Sequence, residues 1–258
     1  MQKLKKFYQM FKKKPKIEVF VRSCFFSPVS NGKKRPPYFS REICYQNLLH
    51  TIQNESRVRL TFFLDTFFEK EKDHFLQKEK NYPVIEIKEG TEGGSFVKML
   101  DYVLQLPLAK DTLVYFLEDD YLHRPGWVEV LQEGFDLNCS DYVSLYDHRD
   151  KYFSSSYKTL TSRIYHTKSC HWRTTPSTTN TYAMRFGTLL RDEAIHRQFS
   201  KDRKVSQDHE KFIVLGLKGA TLITPLPGWS THMEPDFESP CVDWQEVLSK
   251  TVLLEQKL

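Results

Sequence analysis

Regular patterning begins at Ile17-Glu18-Val19-Phe20-Val21-Arg22-Ser23, which alternates and is rich in β-branched and aromatic residues, so it predicts a first strand. After a loop with Asn31-Gly32 and Pro36-Pro37, Ser40 opens a helix running to Ile52 with Ile43, Leu48 and Leu49 on it. Residues 58–65 predict a second strand ending in Asp65, 66–80 a charged helical stretch, and 83–87 a third strand. The turn Gly93-Gly94-Ser95 then leads into Phe96, Met99, Leu100, Val103 and Leu104, which share one helical face. A fourth strand, Leu113-Val114-Tyr115-Phe116-Leu117, runs straight into Glu118-Asp119-Asp120, and Pro125-Gly126 turns the chain into a helix over 127–135.

Strands alternating with helices at this spacing predict an α/β fold: a mostly parallel, Rossmann-like central sheet with helices on both faces. Ligands of such sheets bind beyond the carboxyl ends of the strands. Arg22, Asp65, Gly93, Gly94 and the acidic triplet all fall at those ends and are expected to line one crevice. The pattern changes after residue 140. Strands over 141–146, 159–167 and 181–185 come without a clear helix between them, which predicts a smaller antiparallel portion in the C-terminal half. A short helix over 192–199, a second capped by Ser206 and stopped by Gly219, and a last strand over 221–225 complete the pattern. His232 is expected in the loop that follows.

Composition narrows this picture. The 258 residues are 40% hydrophobic and 28% charged, and no run approaches the roughly 18 apolar residues of a membrane-spanning helix. The basic start lacks the apolar core of a secretory signal, and five widely spaced cysteines form no CxxC pair, so a cytoplasmic protein with reduced thiols is expected. The net charge of +5 is uneven, with seven lysines in residues 1–16. That segment places Leu4, Phe7, Tyr8, Met10 and Phe11 among the lysines; it reads either as a basic amphipathic arm lying on an anionic membrane or as a solvated tail. Without it the chain is close to neutral, and no nucleic-acid partner is expected. GxGxxG after the first strand, a P-loop and a GxSxG elbow are all absent from the sequence.

The triplet carries the strongest chemistry. Three adjacent carboxylates repel one another, and either water or an oxygen-seeking divalent cation must compensate them. Ser206-Gln207-Asp208-His209-Glu210 places acids in the first turn of a helix, where the dipole favours them and where one could also serve as a base. His166, Cys170 and His171 lack a second ligand pair for a tetrahedral zinc site and read as loop residues. Trp172, Arg173 and Asn180 suit either an acceptor surface or packing.

An apolar strand ending in an acidic triplet after three βα units, with an acidic helix start and a late histidine, resembles the GT-A-fold glycosyltransferases that use nucleotide sugars. Leu117-Glu118-Asp119-Asp120 is similar to their DxD element in its EDD form. The resemblance covers roughly residues 17–235 as an order of elements, and only the triplet matches closely. It implies a single GT-A-like domain over 17–258, with a nucleotide-sugar-binding half at 17–140 and an acceptor-binding half at 141–258. It further implies Asp120 as ligand of Mn²⁺ or Mg²⁺, His232 as an additional metal ligand, and Glu118 and Asp119 as donor contacts. Asp65 and the end of the first strand at Arg22 would hold the nucleoside. Asp208 would be the base of an inverting transfer, with Glu210 as the fallback. A UDP-sugar is the expected donor because UDP dominates the resembling families; the acceptor would be a glycan, a lipid-linked molecule or a protein. Three rival expectations are a non-catalytic carbohydrate-binding protein on a degenerate transferase fold, a metal-dependent nucleotidyltransferase or phosphohydrolase, and, against the charge balance of the rest of the chain, nucleic-acid binding through the basic arm.

Overall fold

The computed structural model describes residues 16–68 and 73–252. Its elements, in chain order, are β1 (Ile17–Cys24), α1 (Arg41–Ile52), β2 (Val58–Asp65), β3 (Val84–Ile87), α2 (Glu92–Leu104), β4 (Leu113–Glu118), β5 (Tyr121–His123) and α3 (Trp127–Asp136). They continue as β6 (Tyr142–Val143), α4 (Asp150–Phe153), β7 (Ile164–His166), β8 (His171–Thr174), β9 (Tyr182–Arg185), α5 (Phe186–Gln198), α6 (Asp208–Leu217), β10 (Leu222–Leu226), β11 (Ser230–His232) and α7 (Trp244–Val252).

One sheet carries the strand order β3-β2-β1-β4-β9-β6-β10-β8-β7, and β5 and β11 form a separate antiparallel pair. The β3-β2-β1-β4 half is parallel throughout, while β9 runs antiparallel to both β4 and β6, and β8 runs antiparallel to β10 and β7. The expected α/β architecture is therefore present, with its antiparallel portion in the C-terminal half. Central strands of a covered sheet must be apolar on both faces. Accordingly Val19, Val21, Leu64, Tyr115 and Leu117 join one core cluster with α1 and α3, while Phe20, Phe63, Val114 and Phe116 join another with α2, α5 and α6.

Several elements differ from expectation. The charged stretch 66–80 yields only a 3₁₀ turn at Phe75–Lys78 among its described residues, capped by His74. Its charges lack the apolar stripe that would hold a longer helix to the core. The strand expected over 141–146 is two residues long, and that over 159–167 shrinks to β7. The hairpin β7–β8 puts His166 opposite His171, so the supposed loop lies partly in strands. Helix α5 starts six residues earlier than the stretch 192–199. Ser206 does not cap α6; Gln207 stands at that position. Gly228-Trp229-Ser230-Thr231-His232 is not all loop, because its last three residues form β11. The arm over residues 1–16 lies, but for Lys16, outside the described residues, and no described helix is long and apolar enough to cross a membrane.

Candidate active site

The triplet sits where two sheets part. Leu117 and Glu118 end β4 in the main sheet, Asp119 and Asp120 make the turn, and Tyr121 begins β5, which leaves to pair with β11. Asn47, fully buried on α1, clamps that departure: its Nδ2 donates to the His123 carbonyl at 3.0 Å and its Oδ1 accepts the His123 N–H at 2.7 Å. The β5–β11 register then sets His232 opposite Tyr121, and the Met233 N–H donates to the Asp120 carbonyl at 2.9 Å. A backbone device thus brings His232 to Asp120.

Each carboxylate of the triplet has a different environment. Asp120 Oδ2 accepts from Arg35 Nη2 at 2.7 Å and faces His232 Nε2 at 2.9 Å. Burial alone would push this carboxyl up, but His232 and Arg35 outweigh it and hold it well below the usual carboxylate range. Asp119 is raised by burial despite Arg41, whose Nε lies 2.9 Å from Asp119 Oδ2. Ser23 also donates to that oxygen, and His74 Nε2 lies 3.4 Å behind Ser23 Oγ. Glu118 is pushed up to about 8 by burial, with Glu92, Asp120 and Asp208 adding and Arg22 opposing. Holding Asp120 low between two cationic partners while burial raises Glu118 and Asp119 eases the repulsion expected of three adjacent carboxylates.

Arg22, the register partner of Glu118 on β1, is buried and contacts two acids through Nη2: Glu118 at 3.1 Å and Glu92 at 3.2 Å. Glu92 also accepts from Asn180 Nδ2 at 2.6 Å and from the Ser206 N–H at 2.6 Å. Asn180 accepts from Lys211 at 2.5 Å, and Lys211, completely buried against Phe96 and Tyr182, donates to Asp208 Oδ1 at 3.2 Å. This network ties α2, β1, β4 and α6 together, and removing Glu92 would leave the buried Arg22 and Lys211 cations short of a countercharge. Asp208 retains 21% side-chain exposure and is pushed up to about 6, chiefly by burial, with Lys211 opposing. Glu210, the fallback base, is exposed.

A cleft of about 410 Å³ opens at the carboxyl ends of β1, β2 and β4. Arg22, Asp65, Glu118, Asp119 and Asp120 line it, so the expected crevice brings these five together. Gly93 and Gly94 do not line it; they lie in the first turn of α2. Asp65 is largely committed to its own loop, accepting from the N–H groups of Phe67, Glu89 and Gly90 at 3.0, 3.2 and 2.9 Å. Gly90 is obligatory there: its φ of +66° favours glycine, and a Cβ would meet the Phe67 ring. The cleft also has an aromatic rim formed by Phe26, Phe67 and Phe68, and the cations Arg41 and Lys204, none of which is among the residues expected there. Phe67 and Phe68, two adjacent exposed aromatics after a strand, were a readable signal.

Trp172 and Arg173 do not form an acceptor surface. Trp172 is fully buried, with its ring where a Cβ on Gly134 would fall, and Arg173 is buried in an ion pair with Asp147 at 2.7 Å. Asn180 is likewise buried, between Glu92 and Lys211.

The donor set near Asp120 suits a divalent cation with substrate help. Oδ1 of Asp120 is buried and has no hydrogen-bond partner among the described residues, and an imidazole nitrogen stands beside the other oxygen. No group of three His, Cys, Asp or Glu side chains converges among the described residues. Mg²⁺-type sites, however, are commonly completed by substrate phosphates and water around one or two protein ligands.

No protein-family model matches the sequence, and no curated protein matches it at sequence level. Solved structures do. S. aureus TarS 1–349 aligns over 92% of this chain and 65% of its own at 14% identity, with a TM-score of 0.51. The fold is GT-A-like. The same TarS fragment in complex with UDP-GlcNAc aligns over 81% of this chain and 55% of its own at 15% identity, again at 0.51, so the chain spans about two thirds or less of these relatives. A CMP:2-keto-3-deoxy-manno-octonic acid synthetase complexed with CTP aligns over 94% of this chain and 100% of its own at 14% identity, with a TM-score of 0.49.

Proposed function

We propose that the chain is a metal-dependent, inverting glycosyltransferase that moves a sugar from a UDP-sugar to an acceptor hydroxyl on a glycan, a lipid-linked molecule or a protein. The observation that carries this reading is Asp120: buried beside Arg35 and His232, with one oxygen unpartnered among the described residues, and lining a cleft at the strand ends of a GT-A-like sheet. The TarS fragment of similar fold has UDP-GlcNAc as its ligand, which supports the choice of donor.

Asp120 and His232 would hold a Mn²⁺ or Mg²⁺ ion, and such an ion supplies Lewis-acid stabilisation of a departing diphosphate. Glu118 and Asp119 face the donor, and the aromatic rim of the cleft gives a base something to stack on. Asp65 shapes the nucleoside end chiefly by ordering the loop at Glu89 and Gly90. Asp208 takes the proton from the acceptor hydroxyl, and a value of about 6 leaves it ionised at neutral pH while close enough to accept a proton.

The test is calorimetry of UDP binding with and without Mn²⁺ on wild type and Asp120→Asn, paired with product analysis of a UDP-sugar incubation. Mn²⁺-dependent binding lost in the variant, with free sugar and intact UDP released by wild type, supports the reading. Normal Mn²⁺-dependent binding by Asp120→Asn overturns the metal assignment. Release of UMP or pyrophosphate would mean a nucleotidyltransferase or phosphohydrolase, and binding without turnover a carbohydrate-binding protein.

A further inference from the structure

The two oxygens of Asp120 are unequally used. Oδ1 is buried without a partner among the described residues, whereas Oδ2 is shared by His232 and by the guanidinium of Arg35. Arg35 belongs to the loop over residues 25–40, between β1 and α1. Its other anchors are the Met233 carbonyl, reached by Nη1 at 2.8 Å, and the ring of Phe39, whose centroid lies 4.5 Å from Cζ. Lys33 on the same loop ties to Glu234 at 3.1 Å, and that carboxylate lies 3.5 Å from His232 Nδ1. Phe26, Ser27 and Ser30 of the loop line the cleft. A positive charge therefore already sits where the proposed function puts a divalent cation, on a loop that borders the donor cleft.

A cation entering at Oδ1 would stand within one carboxylate of the guanidinium, and like charges at that distance in a partly buried site repel strongly. Arg35 keeps 16% side-chain exposure, and reorienting its guanidinium gives up the Asp120 and Met233 contacts while leaving the Lys33–Glu234 tie in place. The planar fork of a guanidinium matches phosphate oxygens in the same bidentate manner as carboxylate oxygens.

We propose that Arg35 is an exchangeable cation of the donor site: it neutralises Asp120 while the cleft is free of donor, and moves to the donor's diphosphate when a divalent ion takes Asp120. This rests on the reading of the cleft as a cation–diphosphate site and adds a named residue to it. Arg35 thereby has opposite effects on two ligands, competing with the metal ion and assisting the diphosphate. A merely structural residue would not do that.

The experiment measures two dissociation constants, for Mn²⁺ alone and for UDP at saturating Mn²⁺, on wild type, Arg35→Met and Arg35→Lys, with melting curves to verify folding. Arg35→Met keeps an apolar stem over Phe39. It is expected to bind Mn²⁺ several-fold tighter and UDP roughly tenfold weaker, the size of one lost charge-assisted hydrogen bond. Arg35→Lys, which keeps the charge without the fork, should bind Mn²⁺ as wild type does and UDP weaker; it carries the test if the Met variant fails to fold. Both constants moving in the same direction in Arg35→Met, or neither moving, overturns the exchange while leaving the cation–diphosphate site intact. Absence of both Mn²⁺ and UDP binding in the wild type overturns the site reading, and the exchange with it.

Discussion

His232 Nε2 lies 2.9 Å from Asp120 Oδ2 although 112 residues separate the two in sequence. The contact exists because β11 pairs with β5 directly after the acidic turn. An imidazole there can act in two ways, as a metal ligand or as a hydrogen-bonding support for Asp120. Imidazole suits Mn²⁺ better than Mg²⁺, so the two roles differ in metal preference. If His232 is a ligand, His232→Ala should weaken Mn²⁺ by about tenfold and Mg²⁺ less, as removal of a nitrogen donor requires. Calorimetric titration of both ions gives the ratio directly. An unchanged ratio would assign the imidazole to holding Asp120.

Asp208 carries the pH dependence of the proposed transfer. Burial pushes it up to about 6, and a general base works only when ionised. The rate at low substrate should therefore fall about tenfold per unit below pH 6, as Asp208 takes up its proton. Asp208→Asn should lower turnover by about 10²- to 10⁴-fold, the usual contribution of a positioned base, with UDP affinity kept. A variant of undiminished rate would show that proton removal is done elsewhere.

Much of this was legible in the sequence, for a physical reason. The parallel half announces itself because buried central strands are long and apolar on both faces, so the acidic residues that end them are placed by counting alone. The rest depends on contacts distant in sequence. β5 and β11 are three residues each, too short to give a period, so the pairing that delivers His232 is invisible until the fold is seen. Lys211 reads as a solvated helix lysine, yet it is completely buried between Asp208 and Asn180. Arg35 follows Lys33 and Lys34 in a polar loop with no pattern that points to Asp120.

Gly93 was expected at the donor and lies instead where α2 meets the turn before α6. A Cβ at Gly93 would fall 2.3 Å from the Ser200 carbonyl oxygen and 2.6 Å from that of Arg203, both backbone atoms. The same junction is held by the Glu92 N–H to the Lys204 carbonyl at 3.1 Å and by the Ser206 N–H to Glu92. Gly93→Ala should therefore destabilise by about 1–3 kcal/mol, as overpacking does. At Gly94 the nearest atom is the Thr91 hydroxyl at 2.7 Å, so Gly94→Ala would act through the helix cap, at a cost of about 1 kcal/mol. Urea unfolding of the two variants should rank them in that order. The reverse order would mean that the α2 junction yields more readily than its cap.

Arg22 Nη2 touches Glu118 and Glu92 at 3.1 and 3.2 Å, yet the two acids are pulled in opposite directions. Glu118 is pushed up to about 8, chiefly by burial. Glu92 meets the same burial, but Arg22, the Ser206 N–H and Asn180 hold it below its usual value. An unfolded chain releases both protons near pH 4. Between there and about pH 8 the folded state keeps the Glu118 proton that the unfolded state has lost, so rising pH drains stability through this residue. Glu92 works the other way: its contribution is present above the unfolded value and lost as the pH falls through the lower, folded one. Glu118→Gln, which mimics the protonated acid, should melt with wild type near pH 4 and progressively above it as the pH approaches 8. Glu92→Gln should melt well below wild type at neutral pH, with the gap closing in acid. Melting temperatures of the three proteins at intervals from pH 4 to 8.5 check both slopes, and parallel curves for Glu118→Gln and wild type would show that Glu118 is ionised beside Arg22 at neutral pH.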